Sequence, residues 1–381
     1  MPPTHAAVPA FVAPRRVLMG PGPSDVHPRV LAAMAQATIG HLDPAFIGLM
    51  DEIKRLLRQT LRTDNDLTFP ISGPGSLGME TCFVNLLEPG DVCIVCENGV
   101  FGARMRSMAE RSGARVVTVS DPWGRAIDCA KVEAELAANP GVRLLAFVQA
   151  ETSTGALSDA RELARLAQRF GALSLCDAVT SLAGVPLEID AWGIDAVYSG
   201  TQKCLSCPPG LSPVSFSPRA IQRLRERRTP VQSWFLDLTM VMNYWASGGG
   251  RRTYHHTAPV NALYGLHEAL RLLHEEGLEQ SWARHARLHG ELAKGLAGLG
   301  LELVVPEAER LPQLNAVRVP AGIDEAAARQ RLLDEFGLEI GAGLGDFAGK
   351  VWRIGLMGQS CSEAHVRLCL EALAAVSGRT R

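Results

Sequence analysis

Five lysines stand against 33 arginines in this chain of 381 residues: Lys54, Lys131, Lys203, Lys294 and Lys350. Chemistry that needs a primary amine therefore has few addresses. Lys54, Lys131 and Lys294 fall in amphipathic helical stretches, where a solvated charge is expected, and Lys350 precedes a strand in a Gly-flanked turn. Lys203 differs. It follows an expected strand within YSGTQKCLSCPPG (198–210), among small and polar residues. An amine at the carboxyl end of a buried strand is placed to point into a cleft, where desolvation and nearby positive charge make it nucleophilic. Taken alone, such a lysine is more often structural.

Asp177 changes that balance. It ends the apolar run ALSLCD, 26 residues before Lys203. A carboxylate at that place is costly unless it meets a cation. A pyridinium nitrogen is such a cation, and an aspartate that keeps it protonated turns the ring into an electron sink. The following DAVTSL also permits a plain helix N-cap. A third element, SGPGSLGME (72–80), is a Gly-rich turn between a strand and a helix, a place where backbone N–H groups receive a phosphate. The same turn contains G-x-G-x-x-G (73–78), and Glu97 ends the next strand at a dinucleotide-binding distance. An NAD-linked oxidoreductase is the reading this fingerprint favours, but it leaves Lys203 and Asp177 without a shared purpose.

Metal chemistry is not expected. His255 and His256 are adjacent and diverge in most backbone conformations, and Cys93 and Cys96 face opposite sides of a strand. The nine cysteines are too few for a disulfide scaffold and read as buried thiols of a reducing compartment.

The elements that must position these residues alternate. LTFPIS (67–72), DVCIVCE (91–97), RVVTVS (115–120), RLLAFVQ (143–149), ALSLCD (172–177), DAVYSG (195–200) and SPVSF (212–216) read as strands. Between or before them lie helical patterns at 50–61, 104–113 and 160–171. Such alternation implies an α/β fold with a mostly parallel sheet covered by helices, whose site gathers beyond the carboxyl ends of the strands. After about residue 275, longer helical stretches frame a few short strands, as in an α+β domain. The expected division is an N-terminal arm (1–21), a large domain (22–275) and a small C-terminal domain (276–381).

The residues resemble a class V aminotransferase of pyridoxal-phosphate fold type I, within the alanine–glyoxylate and serine–pyruvate aminotransferase group. The resemblance runs from about Leu18 to Ala374. It is carried by LMGPGPSDVHPRVL, SGPGSLGMETCFVNLLEPGD, ENGVFGARM, ETSTG, CDAVTSLAG, YSGTQKCLSCPPG, YHHTAPVNALYGL and GKVWRIGLMG, in that order. Together these motifs outweigh the lone Gly fingerprint. The resemblance implies a large domain with a seven-stranded, mostly parallel sheet and pyridoxal 5'-phosphate held by Lys203 as a Schiff base. It pairs Asp177 with the pyridine nitrogen, with Val179 beneath the ring and Phe101 stacked on the other face. It places Gly75, Ser76 and Gln202 at the phosphate and Thr152 near the cofactor hydroxyl. Tyr254 and Thr257 then reach the phosphate of a neighbouring subunit in a homodimer, and Arg353 and Gly20 meet the substrate. The substrates implied are L-alanine or L-serine with glyoxylate or pyruvate. Phe101 stands where the best-known members carry Trp, and Pro74 and Ser76 depart from the usual phosphate loop. Pro74 has no N–H to donate. Cysteine desulfurases share this fold and use a C-terminal cysteine, which makes Cys361 a further candidate, although no obvious mobile loop surrounds it.

With 47% hydrophobic and 20% charged residues and a net charge of −2, the composition excludes strong attraction to nucleic acid or anionic membrane. No apolar run is long enough to span a bilayer. The Pro/Ala-rich start is not expected to be a signal peptide, and the ending SGRTR carries no peroxisomal signal. A cytoplasmic location is expected.

Overall fold

Seven short runs rich in Val, Ile, Leu and Cys become one sheet in the computed structural model, which describes residues 8–246 and 252–378. They are β1 (Leu67–Ser72), β2 (Val92–Glu97), β3 (Arg115–Ser120), β4 (Leu144–Val148), β5 (Leu173–Asp177), β6 (Ala196–Tyr198) and β7 (Leu211–Phe216). Their spatial order is β1-β7-β6-β5-β4-β2-β3. β7 runs antiparallel to both neighbours, and the other adjacent pairs are parallel. β4 and β5 are buried at every residue, as strands covered on both faces must be. The expected strands all form, within two residues of their expected ends.

Three helices matter for the site. α1 (Gly75–Leu86) follows β1, α2 (Val100–Arg111) follows β2, and α3 (Ala160–Arg169) precedes β5. α3 shows why the sequence folds this way: Leu163, Ala164, Leu166 and Ala167 are buried on one face, while Asp159 caps its start.

Two apolar cores form. The first fills the layers of the large sheet. The second joins Leu288, Leu292 and Leu296, spaced one helical turn apart on Leu278–Gly298, to Trp352, Ile354, Leu373 and Met19. Its sheet has three antiparallel strands, with β10 (Val351–Gly355) between β8 (Leu314–Arg318) and β9 (Gly341–Ala342). Val17–Leu18 pairs in parallel with Leu338–Glu339 beside this core. Chain that begins at the small core thus passes directly to the large sheet. Val8, Phe11 and Val12, upstream of it, are exposed.

One expectation fails. Lys54 is not a solvated charge: it is 8% exposed. It shares the buried face of the helix Pro44–Leu61 with Met50, Ile53 and Leu57. Its ammonium donates to the Trp245 carbonyl at 3.0 Å and lies 3.4 Å from Asp66. Those two oxygens offset the desolvation that position imposes. Lys131 pairs with Asp121 at the surface and Lys294 is exposed, as expected; Lys350 is exposed too.

Candidate active site

The strands that point the same way deliver their last residues to one rim. β1 leads into α1, β2 into α2, β4 into Glu151–Thr152, β5 ends on Asp177, and β6 ends on Tyr198 shortly before Lys203. In a parallel sheet this rim is where ligands bind.

Lys203 is 9% exposed. Its amine donates to the carbonyl of Pro21, in the segment that has just left the small core. Gly22 lies over the lysine with φ +99°, and a Cβ there would fall 2.5 Å from Nζ. Only glycine fits that approach. Burial lowers the Lys203 pKa to about 8; the nearby Arg353 guanidinium pushes the same way, while Cys204 and Asp177 oppose it. The hydroxyl of Ser24 bonds the Lys203 carbonyl at 2.7 Å and fixes the turn.

Asp177 is 2% exposed, and no helix follows it, so it caps none. Its Oδ1 accepts the Val179 N–H at 2.8 Å and its Oδ2 accepts the Tyr198 hydroxyl at 2.5 Å. Desolvation raises the carboxyl pKa to about 6 against these two hydrogen bonds and the attraction of Lys203 and Arg104. A buried carboxyl so placed gains from an adjacent cation.

Val179 in turn touches the start of α1: a Cβ on Gly75 would lie 3.2 Å from its Cγ2. α1 begins after Pro74 with no side-chain cap, so its first amides meet no side-chain acceptor among the described residues. Ser76, in that first turn, accepts a 3.0 Å hydrogen bond from Arg104, whose guanidinium lies 5.0 Å from the centre of the Phe101 ring. Gln202 is partly buried, and its Oε1 has no hydrogen-bond partner among the described residues.

Arg353, on β10, is 7% exposed. Nε donates to the Ala342 carbonyl at 2.6 Å and Nη1 to the Thr152 carbonyl at 3.1 Å. Gly20 packs beside the same strands, close to Gly341 and Gly355. Asp177 and Arg353 thus act electrostatically on Lys203, which follows Gln202; Val179 and Gly75 adjoin Asp177, Ser76 and Phe101 share Arg104, and Thr152 and Gly20 adjoin Arg353 and its neighbouring strands. Tyr254 and Thr257 do not join them. Both are exposed, Tyr254 by 63%, with its ring against His41.

Sequence reasoning missed Tyr198, Glu151, Arg104 and Pro21. The register opposes Tyr198 directly to Asp177, a pairing that only strand order reveals. Glu151 did leave a signal, an acidic residue three positions past the end of the apolar strand Leu144–Val148.

The rival features have ordinary explanations. Glu97 is bound to Arg106 at 3.1 Å. The Cys361 thiol is 2% exposed and pushed up to about 12 by burial, far from a ready nucleophile. His256 bonds Ser72 at 2.9 Å, and no metal-binding group of His, Cys, Asp or Glu occurs among the described residues. Nor does any helix among them have the length and apolarity to cross a membrane.

A buried lysine, a buried aspartate wanting a cation and an uncapped helix start suit pyridoxal phosphate in amine, ring nitrogen and phosphate. Fold and site define a pyridoxal-phosphate enzyme of fold type I. The chain belongs to the aminotransferase class-V family, whose description matches residues 17–352. It is 42% identical to the alanine–glyoxylate aminotransferase of Rattus norvegicus over 98% of this chain and 90% of that one. It is 36% identical to the (S)-ureidoglycine–glyoxylate transaminase of Bacillus subtilis over 95% and 91%. A solved alanine–glyoxylate aminotransferase from Nostoc sp. superposes with a TM-score of 0.95 at 46% identity, covering 98% of both chains.

Proposed function

We propose that this enzyme transfers the amino group of a small L-amino acid, L-alanine first and L-serine second, to glyoxylate or pyruvate. One observation carries the reading: a desolvated Lys203 amine feels the charges of both Asp177 and Arg353 and lies under the backbone of Pro21 and Gly22. Close backbone on that side favours donors with short side chains. The names of the similar proteins support the same substrates.

When bound, pyridoxal phosphate supplies a conjugated ring that takes up the electron pair left at the donor's Cα. The chain's residues do the rest. Lys203 accepts the Cα proton at Nζ, and a pKa of about 8 keeps a useful fraction of the amine neutral near physiological pH. Asp177 holds the proton on the ring nitrogen, while Tyr198 and Val179 keep its own oxygens aligned and ionised. Gly75, Ser76 and the amide nitrogen of Gln202 would hold the phosphate, and Val179, Phe101 and Thr152 would position the rest of the group. Arg353 receives the donor's carboxylate on Nη2, its plane set by the carbonyls of Ala342 and Thr152.

The working form is a cytoplasmic homodimer in which Tyr254 and Thr257 reach the partner's phosphate, a reading supported by their exposure. We infer an arm (1–21), a large domain (22–275) and a small domain (276–381); the second apolar core, drawn apart from Met19 from Leu288 to Val376, supports the small domain. Purified protein should be yellow and lose that colour on adding L-alanine. Colourless protein that ignores added pyridoxal phosphate would sink the proposal.

A further inference from the structure

The helix that carries Phe101 has no cap of its own. α2 starts after Gly99, which has no side chain to offer the free amides of the first turn. Those amides are met from elsewhere in the chain. The Val100 N–H donates to Ser153 Oγ at 3.0 Å, and the Phe101 and Gly102 N–H groups donate to Glu151 Oε2 at 3.1 and 3.4 Å. The other oxygen, Oε1, accepts from the Ser153 N–H at 3.0 Å and from its hydroxyl at 2.6 Å. Glu151 is fully buried, and both its oxygens are engaged. A Cβ on Gly99 would lie 2.5 Å from Glu151 Cδ, so the carboxylate occupies the space of the missing side chain. Burial raises the Glu151 pKa to about 7, while the hydrogen bonds from Ser153 and Gly102 and the helix start favour its ionised form.

The next residue extends the connection. The Thr152 carbonyl holds Arg353 Nη1. Glu151 is also close enough to the Arg353 and Asp177 charges to affect, or be affected by, their ionisation. This carboxylate thus stands where the Phe101 helix, the Thr152 turn and the cleft meet.

We propose that Glu151 is a positioning residue that sets the Phe101 ring by capping its helix and sets the Arg353 guanidinium through Thr152. The inference rests on the reading that Phe101 lies against the cofactor and Arg353 takes the donor's carboxylate. Glutamine keeps the length of the side chain, but its amide nitrogen cannot accept the N–H groups that now meet a carboxylate oxygen.

The test uses holoenzyme carrying Glu151→Gln, Phe101→Leu and both changes. Glu151→Gln is expected to weaken cofactor affinity about tenfold and to change the visible circular dichroism of bound cofactor. It should also raise the donor KM more than it lowers kcat. The double variant should bind cofactor no more weakly than the weaker single variant, because both changes act through one ring. Additive losses overturn the proposal, as does a Glu151→Gln enzyme with unaltered dichroism and KM. If Phe101→Leu leaves cofactor affinity unchanged, the stacking reading falls, whereas additivity with a normal Phe101 effect removes only the role of Glu151. Should Glu151→Gln fail to fold, Ser153→Ala replaces it, since it removes a donor to the same carboxylate and the acceptor of the Val100 N–H. Smaller shifts in the same directions support the proposal, and an unchanged enzyme overturns it.

Discussion

The phenolic hydroxyl of Tyr198 donates a 2.5 Å hydrogen bond to Oδ2 of Asp177, across directly opposed positions of β5 and β6. The pair is wholly buried, and the bond favours the ionised carboxylate. Tyr198→Phe removes the donor and leaves one buried oxygen without it. The expected result is a loss of about 1–3 kcal/mol in stability and a lower kcat, since a less acidic Asp177 holds the ring proton less firmly. Urea melts and steady-state rates of the two proteins measure both.

Lys203 is the one lysine of the cleft, so no neighbouring amine can replace it. Lys203→Ala should lower kcat by more than about a thousandfold and abolish the absorbance band of covalently held cofactor. Folding should be little affected, because the side chain's hydrogen bond is to a single carbonyl. An enzyme that keeps a tenth of its rate would refute the assignment.

The pH dependence of the protein without cofactor isolates Asp177. Desolvation raises its carboxyl pKa from 3.8 to about 6, so the folded chain binds this proton more tightly than the unfolded chain. The stability it contributes is fully present below about pH 4 and is lost as the pH rises through about 6. Asp177→Asn should therefore gain on the wild type by about 2 kcal/mol between pH 4 and pH 7. Cofactor-free melts across that range check the sign. The loaded variant should be a poor enzyme, because asparagine cannot hold the ring proton.

At Arg353, lysine would keep the charge but not the planar fork that meets the Ala342 and Thr152 carbonyls. Arg353→Lys should raise the KM for the amino donor about tenfold or more and change kcat less. Equal losses in both would point to general damage to the site.

Cys361 tests the fold's other chemistry. Its buried thiol, held near 12, cannot supply a thiolate at neutral pH. Cys361→Ser should transaminate within about twofold of the wild type, and neither protein should release sulfur from L-cysteine.

Much of this enzyme was legible in one dimension. Strands such as ALSLCD and RLLAFVQ declare themselves because a sheet covered on both faces needs unbroken apolar runs. Lys203 and Asp177 stood out because a charge at the end of such a run is costly without a partner. Motif order gave the family, and the strand-end positions gave the rim. The pairing of Tyr198 with Asp177 depends on strand order and register, which are set by packing across the sheet. Pro21 and Gly22 reach Lys203 because their segment is anchored at the small core, far along the chain from the turn they cover. Lys54 shows the opposite error: helical periodicity alone put it in solvent, and only the tertiary structure supplied the Trp245 carbonyl that lets it stay inside. The sequence by itself determined which groups could do the chemistry. The tertiary structure decided which of them meet, because a buried charge is held by partners that folding brings from distant parts of the chain.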